Sequence, residues 1–221
     1  MLFTKDAYLN IWDRIWGGVM TGQGDSQQDI AAIGQFWFGP LDEAGFAAPE
    51  KHRLWFSADP QTDTAIASRF GDLVSRGLTG ELDSWAGSDT GLVALVLLLD
   101  QFTRNIYRGT PRAFAGDSRA LALARRAIAA GRHRQMPPVH RVFLYLPLEH
   151  CEDPVIQDEC VQLFTALAAE TGTAAVDDFA RYAVAHRDVI ARFGRFPHRN
   201  AILGRSSTPE ESAYLERHGG F

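Results

Sequence analysis

Lysine is almost absent from this chain. Lys5 and Lys51 are its two lysines, and arginine supplies the rest of the 22 basic residues. A GC-rich genome produces that bias without selection for function, and we take this as its main cause. Arginine nevertheless makes planar, two-pronged pairs with carboxylate or phosphate, which lysine does not. The excess of arginine over lysine is therefore compatible with anion binding but does not establish it.

A basic excess and a long apolar run are lacking as well. The formal net charge is −5 at pH 7, which argues against a general nucleic-acid-binding protein, because such a protein needs a basic surface against phosphates. The longest apolar run, Leu92 to Leu99, is far too short to span a bilayer. No basic stretch followed by an apolar segment and a cleavage site opens the sequence, so we expect a cytoplasmic protein.

Cysteine is scarce and unpatterned. Cys151 and Cys160 fit no zinc or redox spacing. Two such cysteines predict free, buried thiols in a reducing compartment. The spacing of the two cysteines does not indicate a cofactor, so the sequence leaves the identity of any cofactor unknown.

Runs of alternating polar and apolar residues, which would predict strands, are missing too. Helical periods, caps and glycine stops predict eight or nine helices joined by short loops, an all-α domain. The segment from Gly91 to about Asn105 is apolar on every side in its first half, which predicts a helix buried all round. Three capping residues stand directly before a proline and so predict a helix N-terminus: Asp59, Asp153 and Thr208.

The beginning of the chain differs from the rest. Projected as a helix, residues 2–20 gather apolar side chains on one face, and their charged residues are two acids and two bases. A helix on a membrane surface would need a cationic polar face, so we expect this one to pack on the body or to form a homo-oligomer. We predict an amphipathic extension and tether over residues 1–29 and a single helical domain over residues 30–221.

An acid-free stretch from Val189 to Pro209 carries the densest set of hydrogen-bond donors. Two glycines and a proline prevent a long helix there, which predicts a loop. Such a loop either binds a ligand or ties helices together. The candidate ligand-binding residues in it are Arg195, His198, Arg199, Asn200 and Arg205.

A second polar block follows the apolar helix. Asp100 precedes Arg104 by one turn, and Arg108 comes one turn later if the helix persists. An Asp–Arg pair at this spacing shares one helical face. In a buried setting such a pair needs hydrogen bonds to be tolerated. A structural clamp and a ligand site both remain open here.

A third block lies just past Pro147, where Glu149, His150 and Glu152 come together. Carboxylates and imidazole beside a helix kink suit metal binding or acid–base chemistry. The Glu-x-x-His pattern of diiron bundles is absent, and we predict no metal site. His186 falls on the apolar face of its own helix and needs a buried partner, for which Glu149 and Glu152 are the candidates.

Several of these blocks, in order, resemble one family. The segments Leu98–Arg108, Phe143–Glu152 and Arg192–Arg205 are similar to the signature of the bacterial domain-of-unknown-function family 924, and so are Phe36–Gly39 and Gly80–Trp85. The resemblance covers about residues 30–215 and leaves out the first thirty. It implies stacked antiparallel helix pairs, similar to tetratricopeptide-like domains, and brings no established activity, substrate or cofactor.

We predict that the three polar blocks converge on a pocket for a small anionic molecule that bears a carboxylate or a phosphate. An enzyme using the same pocket for acid–base or metal-assisted chemistry is an alternative, and so is a scaffold that binds a peptide or protein. An internal salt-bridge network that only locks the helices together is the structural alternative. The candidate catalytic residues are Glu149, His150 and His186; the candidate ligand-binding residues outside the loop are Asp100, Arg104, Arg108 and Glu152, with Trp37, Phe102 and Tyr145 as apolar walls.

Overall fold

The structure, a computed structural model, describes residues 24–220. That part of the chain is all-α and contains no β-strand, as predicted; residues 41 and 47 form one isolated bridge. Most of the predicted N-terminal extension lies outside the described residues. The helices are α1 (24–37), α2 (Lys51–Phe56), α3 (Pro60–Thr79), α4 (Asp89–Val96), α5 (Thr103–Ile106), α6 (Asp117–Ala129), α7 (Pro138–Glu149), α8 (Pro154–Thr171), α9 (Ala174–Phe193) and α10 (Pro209–His218).

Helices α4 and α5 are one continuous helix, joined by a π-helical turn at Leu97–Phe102. Counted in this way, residues 24–220 hold nine helices, within the predicted eight or nine. Short 3₁₀ turns follow α3, α5, α6 and α9. In the same range, no helix has both the length and the apolar content that a bilayer crossing requires.

The three helix N-termini predicted from capping residues form as expected. The side chain of Asp59 accepts a hydrogen bond from the backbone of Gln61, and that of Asp153 accepts one from the backbone of Val155. Thr208 and Glu211 form a reciprocal capping box at the start of α10. Each of these interactions satisfies backbone donors that the first helical turn leaves free, and so sets the helix start.

The centre of the core is the helix that was predicted to be buried all round. No residue from Leu92 to Leu99 is more than 2% exposed. Helices α3, α6 and α7 pack around this segment, and α7, α8 and α9 pack against each other in succession. The likeness to tetratricopeptide-like stacks and the single-domain boundary at residue 30 stay predictions.

A smaller hydrophobic cluster holds the C-terminal part of the chain. Val189, Ile190 and Phe196 form it, with Phe193 and Tyr214 packed against them. Through this cluster the acid-free loop and α10 rest on α9, beside the main core. The loop therefore has its own apolar anchor, which fixes the direction of the arginines that it carries.

The π turn brings two acidic residues together. Asp100 lies within the turn, while α6 begins at Asp117 directly after Gly116. Gly116 packs so closely on the turn that a Cβ atom built there would lie 2.1 Å from the carbonyl oxygen of Leu99. The absence of a side chain at this position lets the start of α6 reach the buried face of the π turn.

Candidate functional site

Arg104 joins the two acidic residues. Its Nη1 atom lies 3.1 Å from Asp100 Oδ1, so the predicted Asp–Arg pair on one helical face is confirmed. The same guanidinium also makes a two-pronged pair with Asp117, at 2.8 and 3.0 Å. Asp117 is the first residue of α6. It lies thirteen residues further along the chain and beyond a 3₁₀ turn, a separation from which no spacing rule predicts contact.

Asp100 holds His150 in place. Its carboxylate is fully buried, 2.8 Å from His150 Nδ1, and accepts a second hydrogen bond from Gln101 at 2.6 Å. Burial raises the pKa of Asp100, but the charge of Arg104 and the hydrogen bond from His150 outweigh it and hold that pKa below its usual range. Burial and the charge of Arg104 lower the pKa of His150. At pH 7 the pair is therefore a carboxylate and a neutral imidazole that donates through Nδ1.

Glu149 is a buried carboxyl beside this pair. Burial, together with the charge of Asp100, raises the pKa of Glu149 to about 8, so the group is mostly protonated at pH 7. Its Oε2 atom has no hydrogen-bond partner among residues 24–220. The buried carboxyl group therefore keeps one oxygen atom without a partner in the described part of the chain.

His186 completes the imidazole side of the cluster. Its Nδ1 atom donates to the carbonyl of Tyr182 at 2.9 Å and lies 3.5 Å from Glu149 Oε1. The predicted proximity to Glu149 is thus present, although the shorter contact is to the backbone. Burial lowers the pKa of His186 to about 3, so the ring is neutral at pH 7.

Arg199 is the unusual member of the acid-free loop. It is 7% exposed, and its Nε atom has no hydrogen-bond partner among the described residues. Its nearest counter-charge is Asp117 Oδ2, 3.7 Å from Nη1, and that carboxylate already receives both prongs of Arg104. The rings of Phe114 and Phe196 lie 4.8 and 4.7 Å from the guanidinium carbon. Burial and the charge of Arg104 lower its pKa to about 10, which still leaves it cationic at pH 7.

The other arginines of the loop are paired. Arg195 makes a two-pronged pair with Glu211 at 2.6 and 2.9 Å, and Arg205 makes one with Glu152 at 2.6 and 2.9 Å. Asn200 accepts a hydrogen bond from Arg205 and donates to Glu211. These contacts tie the loop to α10 and to the turn after α7. They place Glu152, Arg195, Asn200 and Arg205 in structural pairs around Arg199.

Two further predicted donors are placed differently. The helix that carries Asp100 ends at Ile106, so Arg108 leaves that face and pairs with Asp63 of α3 at 2.7 and 2.8 Å. His198 lies with its ring 5.7 Å from the ring of Phe196. Burial and the charge of Arg199 lower the pKa of His198 to about 4. His198 thus stays beside the cluster as a neutral group, whereas Arg108 does not join it.

The three predicted wall residues lie in the hydrophobic core. Trp37 and Phe102 pack edge to face at 5.2 Å, and both are completely buried. Tyr145 packs on Phe164 at 5.5 Å, and its hydroxyl accepts a hydrogen bond from Arg141 at 3.3 Å. The rings beside Arg199 are instead Phe114 and Phe196. Of these two, Phe114 carried no signal in the sequence.

No metal site emerges in the described part of the chain. Residues 24–220 contain no group of three or more His, Cys, Asp or Glu residues placed to hold an ion. Two hollows lie elsewhere: one of about 200 Å³ between α1 and α4, and one of about 490 Å³ between α1, α2 and α3. Neither is lined by a residue of the cluster formed by Asp100, Arg104, Asp117, Glu149, His150, His186 and Arg199, which we call the Arg199 cluster.

The fold and the Arg199 cluster define an all-α protein with a buried network of acids, imidazoles and arginines. Residues 33–219 match the family model described as "Bacterial protein of unknown function (DUF924)", and the chain belongs to this family. It is also similar to the solved structure of a protein of unknown function from Agrobacterium tumefaciens. That structure has 39% sequence identity and a TM-score of 0.72, and the match covers 85% of this chain and 97% of the other. A search of curated proteins finds no match.

Proposed function

We propose that the Arg199 cluster binds a small anionic molecule through a carboxylate or phosphate group. The observation that carries the proposal is the buried guanidinium of Arg199, whose Nε atom has no hydrogen-bond partner among residues 24–220. The described carboxylate nearest to this guanidinium lies 3.7 Å away and is shared with Arg104, so the cost of burying the charge is only partly offset. A bound oxyanion would give the guanidinium both a counter-charge and the missing acceptors.

The neighbouring arginines support this reading by contrast. Arg195 and Arg205 each have a carboxylate of their own at hydrogen-bond distance. Arg199 shares Asp117 with Arg104 and lies at the longer distance of 3.7 Å. A network that served only to lock helices would give Arg199 a carboxylate of its own, as it does for Arg195 and Arg205. Arg199 is therefore the donor that we assign to the ligand.

Neighbouring groups narrow the kind of ligand. The protonated Glu149 offers a second donor, which also favours an acceptor-rich oxyanion. Phe114 and Phe196 pack on the guanidinium, and a guanidinium can make the two-pronged, planar contact that a carboxylate accepts. A small carboxylate, or a phosphate with the same set of acceptors, is the class that fits.

Replacing Arg199 tests the proposal. In Arg199→Gln we expect binding of a detected anion to fall by at least tenfold, because a charge-assisted pair is lost. The protein without ligand should keep its stability or gain some, since the change removes a buried cation whose one described carboxylate partner is shared with Arg104. Calorimetric titration with inorganic phosphate, succinate and citrate measures the first effect, and thermal melting measures the second.

Arg108→Gln is the matched control. It removes a guanidinium that pairs with Asp63 and lies outside the Arg199 cluster, so binding should stay as in the parent. The proposal fails if Arg199→Gln binds the same anions with unchanged affinity. It also fails if Arg199→Gln unfolds while Arg108→Gln does not, because Arg199 would then be a structural clamp.

Acid–base catalysis at the same place is the second candidate. The observation that favours it is the 2.8 Å contact between Asp100 and His150 Nδ1, which fixes the tautomer and leaves the Nε2 lone pair to take a proton. In His150→Gln we expect hydrolysis of p-nitrophenyl phosphate or p-nitrophenyl acetate to fall about 100-fold or more, with unchanged melting. Equal rates in parent and variant would rule this candidate out.

A further inference from the structure

A second site candidate lies outside the Arg199 cluster, between α1 and α4. The hollow of about 200 Å³ between α1 and α4 is lined mainly by apolar side chains. None of its described lining residues is an aspartate, glutamate, lysine or arginine. The residues that matter below are Ile30, Gly34, Phe38, Val93, Leu97 and His140. We call this space the α1–α4 hollow.

Gly34 keeps the hollow open. It lies inside α1, where a glycine costs about 1 kcal/mol relative to alanine. Its helical backbone does not require glycine, and a Cβ atom built there meets nothing within 4 Å. Packing therefore gives no reason for the missing side chain. The missing side chain leaves room in the lining of the hollow.

His140 supplies the one aromatic polar group. Its ring packs on Phe38 with centroids 4.7 Å apart and forms part of the lining of the hollow. Burial lowers the pKa of His140 to about 4, so at pH 7 the ring is neutral and has one donor and one acceptor nitrogen. A neutral imidazole in an apolar wall matches a ligand with a single hydroxyl or similar group.

Size and charge then limit the occupant. An apolar cavity of about 150 Å³ in another protein stays dry and binds benzene, so a space of this size suits one ring. An ion would give up hydration without meeting a counter-charge among the described lining residues, which disfavours charged molecules. We propose that the α1–α4 hollow binds a small uncharged molecule, of about the size of one aromatic ring, that carries one hydrogen-bonding group for His140.

Three one-ring probes test this on the full chain. Benzyl alcohol, toluene and benzoate are titrated at pH 7 while the backbone amide NMR signals of Gly34, Thr90 and Val93 are followed. We expect benzyl alcohol and toluene to shift these signals, with the alcohol about 3- to 10-fold tighter, because it adds one hydrogen bond. Benzoate should leave these signals unmoved. In His140→Phe, the advantage of the alcohol over toluene should disappear.

Gly34→Leu fills the hollow and should weaken both neutral probes at least tenfold. Gly71→Leu is the matched control, because Gly71 is also a glycine inside a helix with open space around its Cβ position, but it does not line the hollow. The proposal is overturned if Gly34→Leu binds as the parent does, if benzoate shifts the same signals as the alcohol, or if no probe shifts them. Because only signals of residues that line the hollow are followed, binding of benzoate at the Arg199 cluster would not be scored here, and none of these results bears on the anion proposed for that cluster.

Discussion

Gly116→Ala is expected to destabilise the protein by about 3 kcal/mol or more, a large effect for the addition of one methyl group. The new Cβ atom would lie 2.1 Å from the carbonyl oxygen of Leu99 and 2.8 Å from its carbonyl carbon. Both are backbone atoms of the π turn, so no flexible side chain can move aside. The start of α6 has to move away from the turn, and Asp117 moves with it. Urea unfolding of parent and variant measures the loss.

Gly71→Ala provides the comparison for this prediction. Its Cβ atom meets nothing within 4 Å in the middle of α3, so alanine should be neutral or stabilising by up to about 1 kcal/mol. At Gly116 the backbone φ is −93°, which any residue adopts, so the predicted loss comes from the close approach alone. Equal stability of Gly116→Ala and Gly71→Ala would show that the two segments do not pack as closely as described.

Glu149→Gln is expected to abolish most of the loss of stability that the parent shows as the pH rises from about 4.5 to about 8. The pKa of Glu149 is about 8 in the folded protein against 4.5 for the ordinary group. Between these values the folded state holds a proton that the unfolded state has released, so stability falls as the pH rises through this range. The difference corresponds to a loss on the order of 5 kcal/mol above pH 8. Glutamine keeps the shape of the protonated group and does not ionise.

Unfolding free energies measured from pH 5 to pH 9 test this prediction. Parent and Glu149→Gln should be similar at pH 5 and should separate steadily as the pH rises. Glu152→Gln is the contrasting variant. Burial raises the pKa of Glu152, but hydrogen bonds to Arg205 and to the backbone of Phe196 outweigh it and lower the pKa overall, so the stability that this carboxylate contributes is lost as the pH falls. If parent and Glu149→Gln lose stability in parallel towards pH 9, Glu149 is not the group responsible.

Local signals predicted the fold well. Helix starts at Asp59, Asp153 and Thr208 were readable because a cap and the next few residues interact through the backbone nearby. The central helix was readable because burial on every side leaves no polar position in the sequence. The pair of Asp100 and Arg104 was readable because one helical turn brings them together.

The carboxylate partners of the arginines could not be predicted from local sequence signals. Arg195, Arg199 and Arg205 look equivalent in the sequence, yet two of them have a carboxylate of their own and Arg199 shares one. The partners of the two come from α10 and from the turn after α7, so the assignment depends on how distant segments pack. The same holds for Phe114 and Asp117, which reach the cluster only because Gly116 allows a close approach. Which arginine has a carboxylate of its own and which shares one is thus a tertiary property that the side-chain types in the sequence do not predict.

The π turn at Leu97–Phe102 gives this helix a particular sensitivity to length. A π turn holds more residues than an α turn, so the segments before and after it are out of phase on a helical wheel. Loss of one residue from the turn would let a regular α-helix form and would rotate one segment against the other by about 100°. The carboxylate of Asp100 would then point away from the imidazole of His150. An insertion or deletion among the leucines can therefore disable the polar cluster while every one of its charged residues is retained.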